Sequence, residues 1–245
     1  GGGMSAILTI GGTDSSGGAG LTRDAQVARD LGLTPRPVVT AVTAQTDTGV
    51  VAIHPVPPAM IAEQIAAALA TGPVGAVKIG MLGSFEAAEA VAQALADCPA
   101  PRVLDPVMKA SSGGALGGPE MLRPLLTGLT LLTPNLAEAA ELSGGAEAHT
   151  DTHREMQGAG ILGLGVQAVL IKGGHGAGDE SIDYLYGAGD PRSYAAPRLK
   201  RGRRGTGCTL ATAIACHLAR GESLPISCGA ARRYVQRWLQ EAQTR

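Results

Sequence analysis

The run AILTI (Ala6–Ile10), GGTDSSGGAG (Gly11–Gly20), LTRDAQVARDL (Leu21–Leu31) and PVVTAV (Pro37–Val42) decides the fold. A short apolar run closed by glycines is too brief for a helix and reads as a buried strand. The segment Leu21–Leu31 is amphipathic and helical, and a second apolar run follows it. Strand, helix, strand implies a crossover connection and parallel pairing.

The alternation continues along the chain. Further strands are expected at Ala76–Ile79, Arg102–Leu104, Leu129–Leu132 and Ala168–Ile171, with alanine-rich helices at Pro58–Ala70, Phe85–Ala96 and His153–Leu164. A small hairpin is expected from Ile182–Tyr186 and Arg192–Ala195, and two closing helices from Cys208–Arg220 and Ile226–Gln243. The pattern predicts an α/β three-layer sandwich, with a mainly parallel central sheet and helices on both faces. No Pro/Ser linker or repeat divides the chain, so 4–245 reads as a single domain. Gly1-Gly2-Gly3 before Met4 reads as a cloning remnant. A (β/α)₈ barrel is the rival at this length, but the two-helix ending fits an open sheet better.

Composition narrows the function. The 245 residues are 44% apolar with a formal net charge of −1, and Phe85 and Trp238 are the sole Phe and Trp. That argues against nucleic-acid binding by charge or by aromatic stacking. No stretch has membrane-spanning character. Cys98, Cys208, Cys216 and Cys228 are far apart, with no Cys-x-x-Cys pair and no metal-ligand spacing with the five histidines. They read as reduced thiols of a cytoplasmic protein.

Ligands of open parallel sheets bind beyond the carboxyl ends of the strands. The first strand leads into the glycine-rich loop 11–20, which lets backbone approach a small ligand or serves simply as a flexible connection. In and after this loop, Asp14 and Asp24 are a polar contact and a helix-turn carboxylate, or merely caps. Gln45 offers the donor and acceptor needed to read a heteroaromatic edge, although a single Gln there is commonly surface decoration. Met81 is core or a wall for a flat ring. Asp105 is a turn carboxylate or a partner of a metal–phosphate group. Asn135 and Glu138 form a capping-box pattern, and Glu138 could equally organise Mg²⁺. Lys172 and His175 follow the sixth strand. Singly each has a bland explanation; six in register at one sheet edge point to a ligand site.

Arg204-Gly205-Thr206-Gly207-Cys208-Thr209-Leu210-Ala211 supplies the chemistry. Leu210, Ile214 and Leu218 recur every four residues, so a Gly-Thr-Gly turn opens a helix whose free N–H groups form an anion cradle. Cys208 sits at its lip, where the helix field is expected to favour thiolate. The basic run Lys200-Arg201-Gly202-Arg203-Arg204 is a solvated loop or a clamp for polyphosphate. An anion cradle beside a tunable proton acceptor suggests phosphoryl transfer.

These motifs, from about Ala6 to Tyr234, resemble the hydroxymethylpyrimidine/phosphomethylpyrimidine kinases of thiamine biosynthesis, within the ribokinase-like superfamily. The carriers are Gly12-Thr13-Asp14, Gly17–Gly20, Val42–Gln45, Val77–Leu82, Leu104–Met108, Thr133–Glu138, Ile171–His175 and Gly205–Leu210. The Gly-Thr-Gly-Cys ending is the sharpest, because most ribokinase-like enzymes carry aspartate at its last position. The resemblance implies ATP-dependent phosphorylation of 4-amino-5-hydroxymethyl-2-methylpyrimidine and its monophosphate, with Mg²⁺. Cys208 would activate the hydroxyl, and Gly205, Thr206 and Gly207 would form the anion hole. Gln45 would bind the aminopyrimidine in a pocket shaped by Gly12, Ala19, Met81 and Val107. Asn135 and Glu138 match an Asn-x-x-Glu motif associated with Mg²⁺ and phosphate, with Glu138 toward the metal; Lys172 and Asp105 belong near the ATP phosphates.

The chain departs from that family pattern in several places. Arg203-Arg204 replaces a Thr-His type pair, Ser112-Gly113-Gly114 replaces Ser-Gly-Asp, Thr22-Arg23-Asp24 replaces Gln-Ala-Asp, and Thr46 replaces an Asn. A pyridoxal kinase of the same fold is the nearest alternative, and a non-catalytic pyrimidine-binding regulator is another. A homodimer is the expected assembly, as the commonest symmetric choice.

Overall fold

A computed structural model describes residues 6–108, 118–173, 178–199 and 202–241. Ser112–Gly114, Gly174, His175, Lys200 and Arg201, singled out above, lie outside the described residues, as do the final two residues of the expected last helix.

Nine strands among the described residues form one sheet. They are β1 (Ala6–Gly12), β2 (Thr34–Thr46), β3 (Gly49–Pro55), β4 (Ala76–Ile79), β5 (Arg102–Leu104), β6 (Leu131–Leu132), β7 (Val169–Ile171), β8 (Glu180–Tyr186) and β9 (Arg192–Pro197). The spatial order is β3-β2-β1-β4-β5-β6-β7-β8-β9. From β2 to β7 all neighbours are parallel. β3 pairs antiparallel to β2 at one edge, and the β8–β9 hairpin extends the other edge antiparallel to β7.

The helices are α1 (Gly20–Asp30), α2 (Pro58–Ala70), α3 (Phe85–Ala94), α4 (Arg123–Leu126), α5 (Leu136–Ser143), α6 (Asp151–Leu162), α7 (Thr206–Ala219) and α8 (Leu224–Glu241). Both faces of the sheet are covered. Leu8 and Ile10 of β1 pack into a core with Ile61, Ile65, Val91, Leu142 and Ile161 of α2, α3, α5 and α6. Ile7, one residue before Leu8 and so on the other face of the strand, joins the opposite core with Val27, Ile214, Cys216 and Val235 of α1, α7 and α8. This alternation explains why every residue of β1 is buried. Each large aliphatic chain so enclosed contributes about 1.5–3 kcal/mol. α7 is apolar nearly all round because it is wedged between the sheet, α1 and α8.

Several element bounds differ from expectation. β2 runs Thr34–Thr46, longer than Pro37–Val42, because it continues as a ribbon with β3, which the sequence reading did not foresee. β6 contains only Leu131–Leu132, and Leu129 contributes its carbonyl to Gln167 outside the strand. The short helical segments within 119–126 were also unforeseen. α7 starts at Thr206, two residues before the expected Cys208.

Candidate active site

The α7 N-terminus is shaped by glycine. Gly205 caps the helix at φ +80°, and a Cβ there would run into the Gly18 carbonyl and lie 3.3 Å from Arg23 Cγ. The Thr209 N–H is bonded to the Gly205 carbonyl at 2.8 Å, and the amides of Thr206, Gly207 and Cys208 stand at the open end before it. The Thr209 hydroxyl donates to the same carbonyl at 2.7 Å and accepts from Arg23 Nε at 2.8 Å, which ties α1 to this turn. Thr206 turns its hydroxyl to the Arg203 carbonyl at 2.5 Å. At Gly207 a Cβ would lie 3.2 Å from Asp105 Oδ2 and 3.4 Å from Lys172 Nζ, so a bare backbone is what lets these charges close on the turn.

Two clefts meet here. The first, of about 200 Å³, is lined by Gly12, Ala19, Gln45, Met81, Val107, Gly205, Gly207 and Cys208 with Asp24, Lys78 and Arg204. The second, of about 240 Å³, is lined by Asn135, Glu138, Lys172, Thr206, Gly207, Leu210 and Val235 with Asp183 and Arg232. Asp105, Val107 and Gly207 belong to both.

The charges under the clefts are paired. Lys78 Nζ bonds both oxygens of Asp24 at 2.9 and 3.0 Å, and Thr212 donates to Asp24 Oδ1 at 2.7 Å. Burial works against the Lys78 ammonium, but Asp24, Cys208 and Asp105 outweigh it and raise its pKa above the ordinary value. Lys172 Nζ lies 3.3 Å from Asp105 Oδ1. Glu138 Oε2 accepts from the Asn135 N–H and Asn135 Oδ1 from the Glu138 N–H, both at 2.8 Å, so the expected capping box is present. Burial and the neighbouring Asp105 charge push the Glu138 carboxyl up to about 7, against the pull of Lys172.

Cys208 is a free, half-buried thiol facing the first cleft. The expectation that the helix field favours its thiolate is corrected. Burial pushes the thiol above its ordinary value, with Asp24 and Asp105 adding to it, and Lys78 and a backbone hydrogen bond from Gly20 only partly oppose this. Desolvation, which disfavours a charged sulfur, is the largest cause.

Arg204 also differs from expectation. It is neither a solvated loop residue nor a clamp at the second cleft, but lines the first. Nη2 bonds Gln45 Oε1 at 2.8 Å and Asp14 Oδ2 at 3.2 Å; Nη1 bonds Ser16 Oγ at 2.7 Å and the Thr46 carbonyl at 3.0 Å. Although burial works to raise it, the Asp14 carboxyl is held below its usual range by hydrogen bonds from Ser16 and Ala19 and by the Arg204 charge. Arg203 and Arg23 each stack on Trp238, 4.2 Å from the ring centre. Asp24 is not a cap but a helix-turn carboxylate within α1, and the buried partner of Lys78. Sequence reasoning missed Lys78 and the bridging role of Arg204. Their only local signals were a lysine inside an otherwise apolar strand and a second arginine before Gly205.

An anion-binding helix terminus shared by two adjoining clefts, at the carboxyl edge of a parallel sheet, defines a small-molecule phosphotransferase. A model of the family described as phosphomethylpyrimidine kinase matches residues 14–244, and the chain belongs to that family. It is 42% identical to the hydroxymethylpyrimidine/phosphomethylpyrimidine kinase of Streptomyces coelicolor over 94% of this chain and 86% of that protein. Among solved structures it is similar to phosphomethylpyrimidine kinase from Clostridium difficile, with TM-score 0.82 and 34% identity over 96% of this chain and 99% of that one. It is also similar to the pyridoxal kinase of Staphylococcus aureus in complex with AMP-PCP and pyridoxal, with TM-score 0.87 and 31% identity over 96% and 87% of the two chains. Among the described residues, no helix is long and apolar enough to cross a membrane.

Proposed function

We propose that this chain is a ribokinase-like kinase, one catalytic domain over 4–245, that transfers the γ-phosphoryl group of ATP to 4-amino-5-hydroxymethyl-2-methylpyrimidine and to its monophosphate. The observation that carries the reading is the meeting of two clefts at Asp105, Val107 and Gly207. The first cleft takes the pyrimidine, with Gln45 reading its edge and Gly12, Ala19, Met81 and Val107 as walls. The second takes the nucleotide, with Asn135, Lys172 and Asp105 toward its phosphates. The γ-phosphoryl group then lies at the shared turn, where the amides after Gly205 face its developing charge. Cys208 takes the hydroxyl proton. The sulfur is held largely as thiol, so its thiolate fraction limits this assistance, and alignment and charge neutralisation carry most of the rate.

The donor set fits a hard divalent cation. Glu138 and Asp105 bring two carboxylates to the nucleotide cleft, and burial beside like charge leaves Glu138 short of compensation. Among the described residues no cluster of three or more ligating side chains is present. Mg²⁺ commonly needs only one or two carboxylates beside phosphates and water. Glu138 would hold it through its free oxygen, and when bound it neutralises phosphate charge.

We also infer a cytoplasmic homodimer. The β2–β3 ribbon supports association, because edge strand β3 exposes Val51 (74%) and Ile53 (39%) to solvent. Sedimentation at several concentrations tests this.

The assay for the activity offers purified protein ATP, Mg²⁺ and either the pyrimidine alcohol, its monophosphate or pyridoxal. Turnover of the pyrimidines above pyridoxal is expected. Preference for pyridoxal would favour a pyridoxal kinase, and binding without turnover would favour a regulator.

A further inference from the structure

We propose that Arg204 is a specificity-determining positioning residue: it locks the Gln45 amide in one orientation, so that the first cleft offers an N–H to a ring nitrogen of the substrate. This deepens the pyrimidine-kinase reading and rests on it.

A glutamine amide is nearly symmetric in shape, and either end can face a ligand unless its neighbours choose. Here they choose twice. Gln45 Oε1 accepts from Arg204 Nη2 at 2.8 Å, and a guanidinium has no acceptor with which to welcome the amide the other way round. On the opposite side Gln45 Nε2 donates to Thr43 Oγ1 at 2.8 Å. The Thr43 hydroxyl has already committed its single proton to the Thr13 carbonyl at 2.5 Å, so it can only accept. A flipped amide would set NH₂ against guanidinium and oxygen against oxygen. Both contacts would be repulsive.

The backbone beneath is fixed as well, since the Gln45 N–H donates to Ser15 Oγ at 2.7 Å and Ser15 Oγ donates to the Gln45 carbonyl at 2.8 Å. Arg204 is itself held by Asp14, Ser16 and the Thr46 carbonyl, a fork that a lysine could not reproduce. Gln45 Nε2 retains one N–H beyond the bond to Thr43. That N–H is what the side chain can donate into the cleft. A ring presenting an acceptor nitrogen beside its amino group satisfies it; a ring with C–H there leaves it unpaired where the seated ring displaces water, which is costly.

The test compares kcat/KM for the aminopyrimidine alcohol with that for the analogue in which the ring nitrogen next to the amino-bearing carbon is replaced by CH. The ratio is insensitive to general damage at the α7 turn, because such damage lowers both values. Wild type should prefer the parent by about tenfold, the scale of one well-placed hydrogen bond in a closed site. Arg204→Ala should bring the ratio to within about twofold, mainly by raising KM for the parent, and Arg204→Lys should fall between. Gln45→Glu should keep the Arg204 contact yet lose the preference, because it has no N–H to offer; the oxygen it sets against the Thr43 hydroxyl should lower the melting temperature without unfolding the protein. An unchanged ratio in folded Arg204→Ala or in Gln45→Glu overturns the proposal. Wild-type protein that phosphorylates neither alcohol overturns the pyrimidine-kinase reading itself and removes its basis.

Discussion

The Lys78 ammonium grips both carboxylate oxygens of Asp24, with neither side chain reached by solvent, at the floor of the cleft that holds Cys208. Removing one partner leaves a buried charge unpaired. Lys78→Met should cost about 3–5 kcal/mol of stability in urea unfolding. Adding Asp24→Asn, which keeps an acceptor for Thr212, should recover at least half of that loss. Turnover should stay low in the double variant, because the positive charge that favours the Cys208 thiolate is gone. Full recovery of both properties would make the pair purely structural.

Cys208 gives the reaction a pH signature. Only thiolate accepts a proton, and the surroundings raise the thiol above its ordinary value of 9. The thiolate fraction therefore grows as pH rises, and kcat should still be climbing at that pH rather than levelling below it. Cys208→Ala should lose most turnover, about 10²–10⁴-fold if the thiolate acts as general base, and should lose the alkaline rise while remaining folded. A plateau below neutral pH, or wild-type-like turnover in Cys208→Ala, would remove sulfur from proton transfer.

Gly205→Ala should fail structurally as well as catalytically. The residue sits at φ +80° against the Gly18 carbonyl, so a side chain adds left-handed strain of about 1–2 kcal/mol and a backbone collision. A fall in melting temperature of at least several degrees is expected, with loss of nucleotide binding in calorimetry. Gly12→Ala is the contrast. Its Cβ would clash with the Met81 Cε end at 2.5 Å, a tip that can swing away, and stand at ordinary contact, 3.6 Å, from the Ala41 carbonyl. That variant should keep its melting temperature and raise KM for the pyrimidine.

Glu138→Gln separates the helix cap from cation binding. Glutamine can still accept from the Asn135 N–H, so α5 should be retained and the circular dichroism spectrum unchanged. The half-saturating Mg²⁺ concentration should rise about tenfold or more. No change in Mg²⁺ dependence would leave the residue with its capping role alone.

The sequence exposed those parts of the molecule that local pattern controls. Pro58–Ala70 and Ala76–Ile79 were read with their observed bounds, because proline opens the helix and turn residues bracket both. The strands after which ligand residues stand were legible, and with them part of each cleft's lining, since sheet topology brings those ends together; Lys78 in the first cleft and Asp183 and Arg232 in the second were not. β3 was not legible: its residues are all partly or fully exposed, so no face carries the apolar alternation that marks a strand. Nor were the Arg204–Asp14 and Lys78–Asp24 contacts, which join residues 190 and 54 positions apart and leave no periodic trace. The thiolate expectation at Cys208 failed because a motif reports the helix dipole but not the desolvation around it.

The shared boundary at Asp105, Val107 and Gly207 has a pharmacological corollary. A single compound carrying an aminopyrimidine at one end and an adenosine polyphosphate at the other need cross no protein wall to fill both halves. Once one end is seated, a short tether presents the other at millimolar effective concentration. Such a hybrid should out-compete either fragment by orders of magnitude, whereas proteins offering only one of the two halves would gain nothing from the tether.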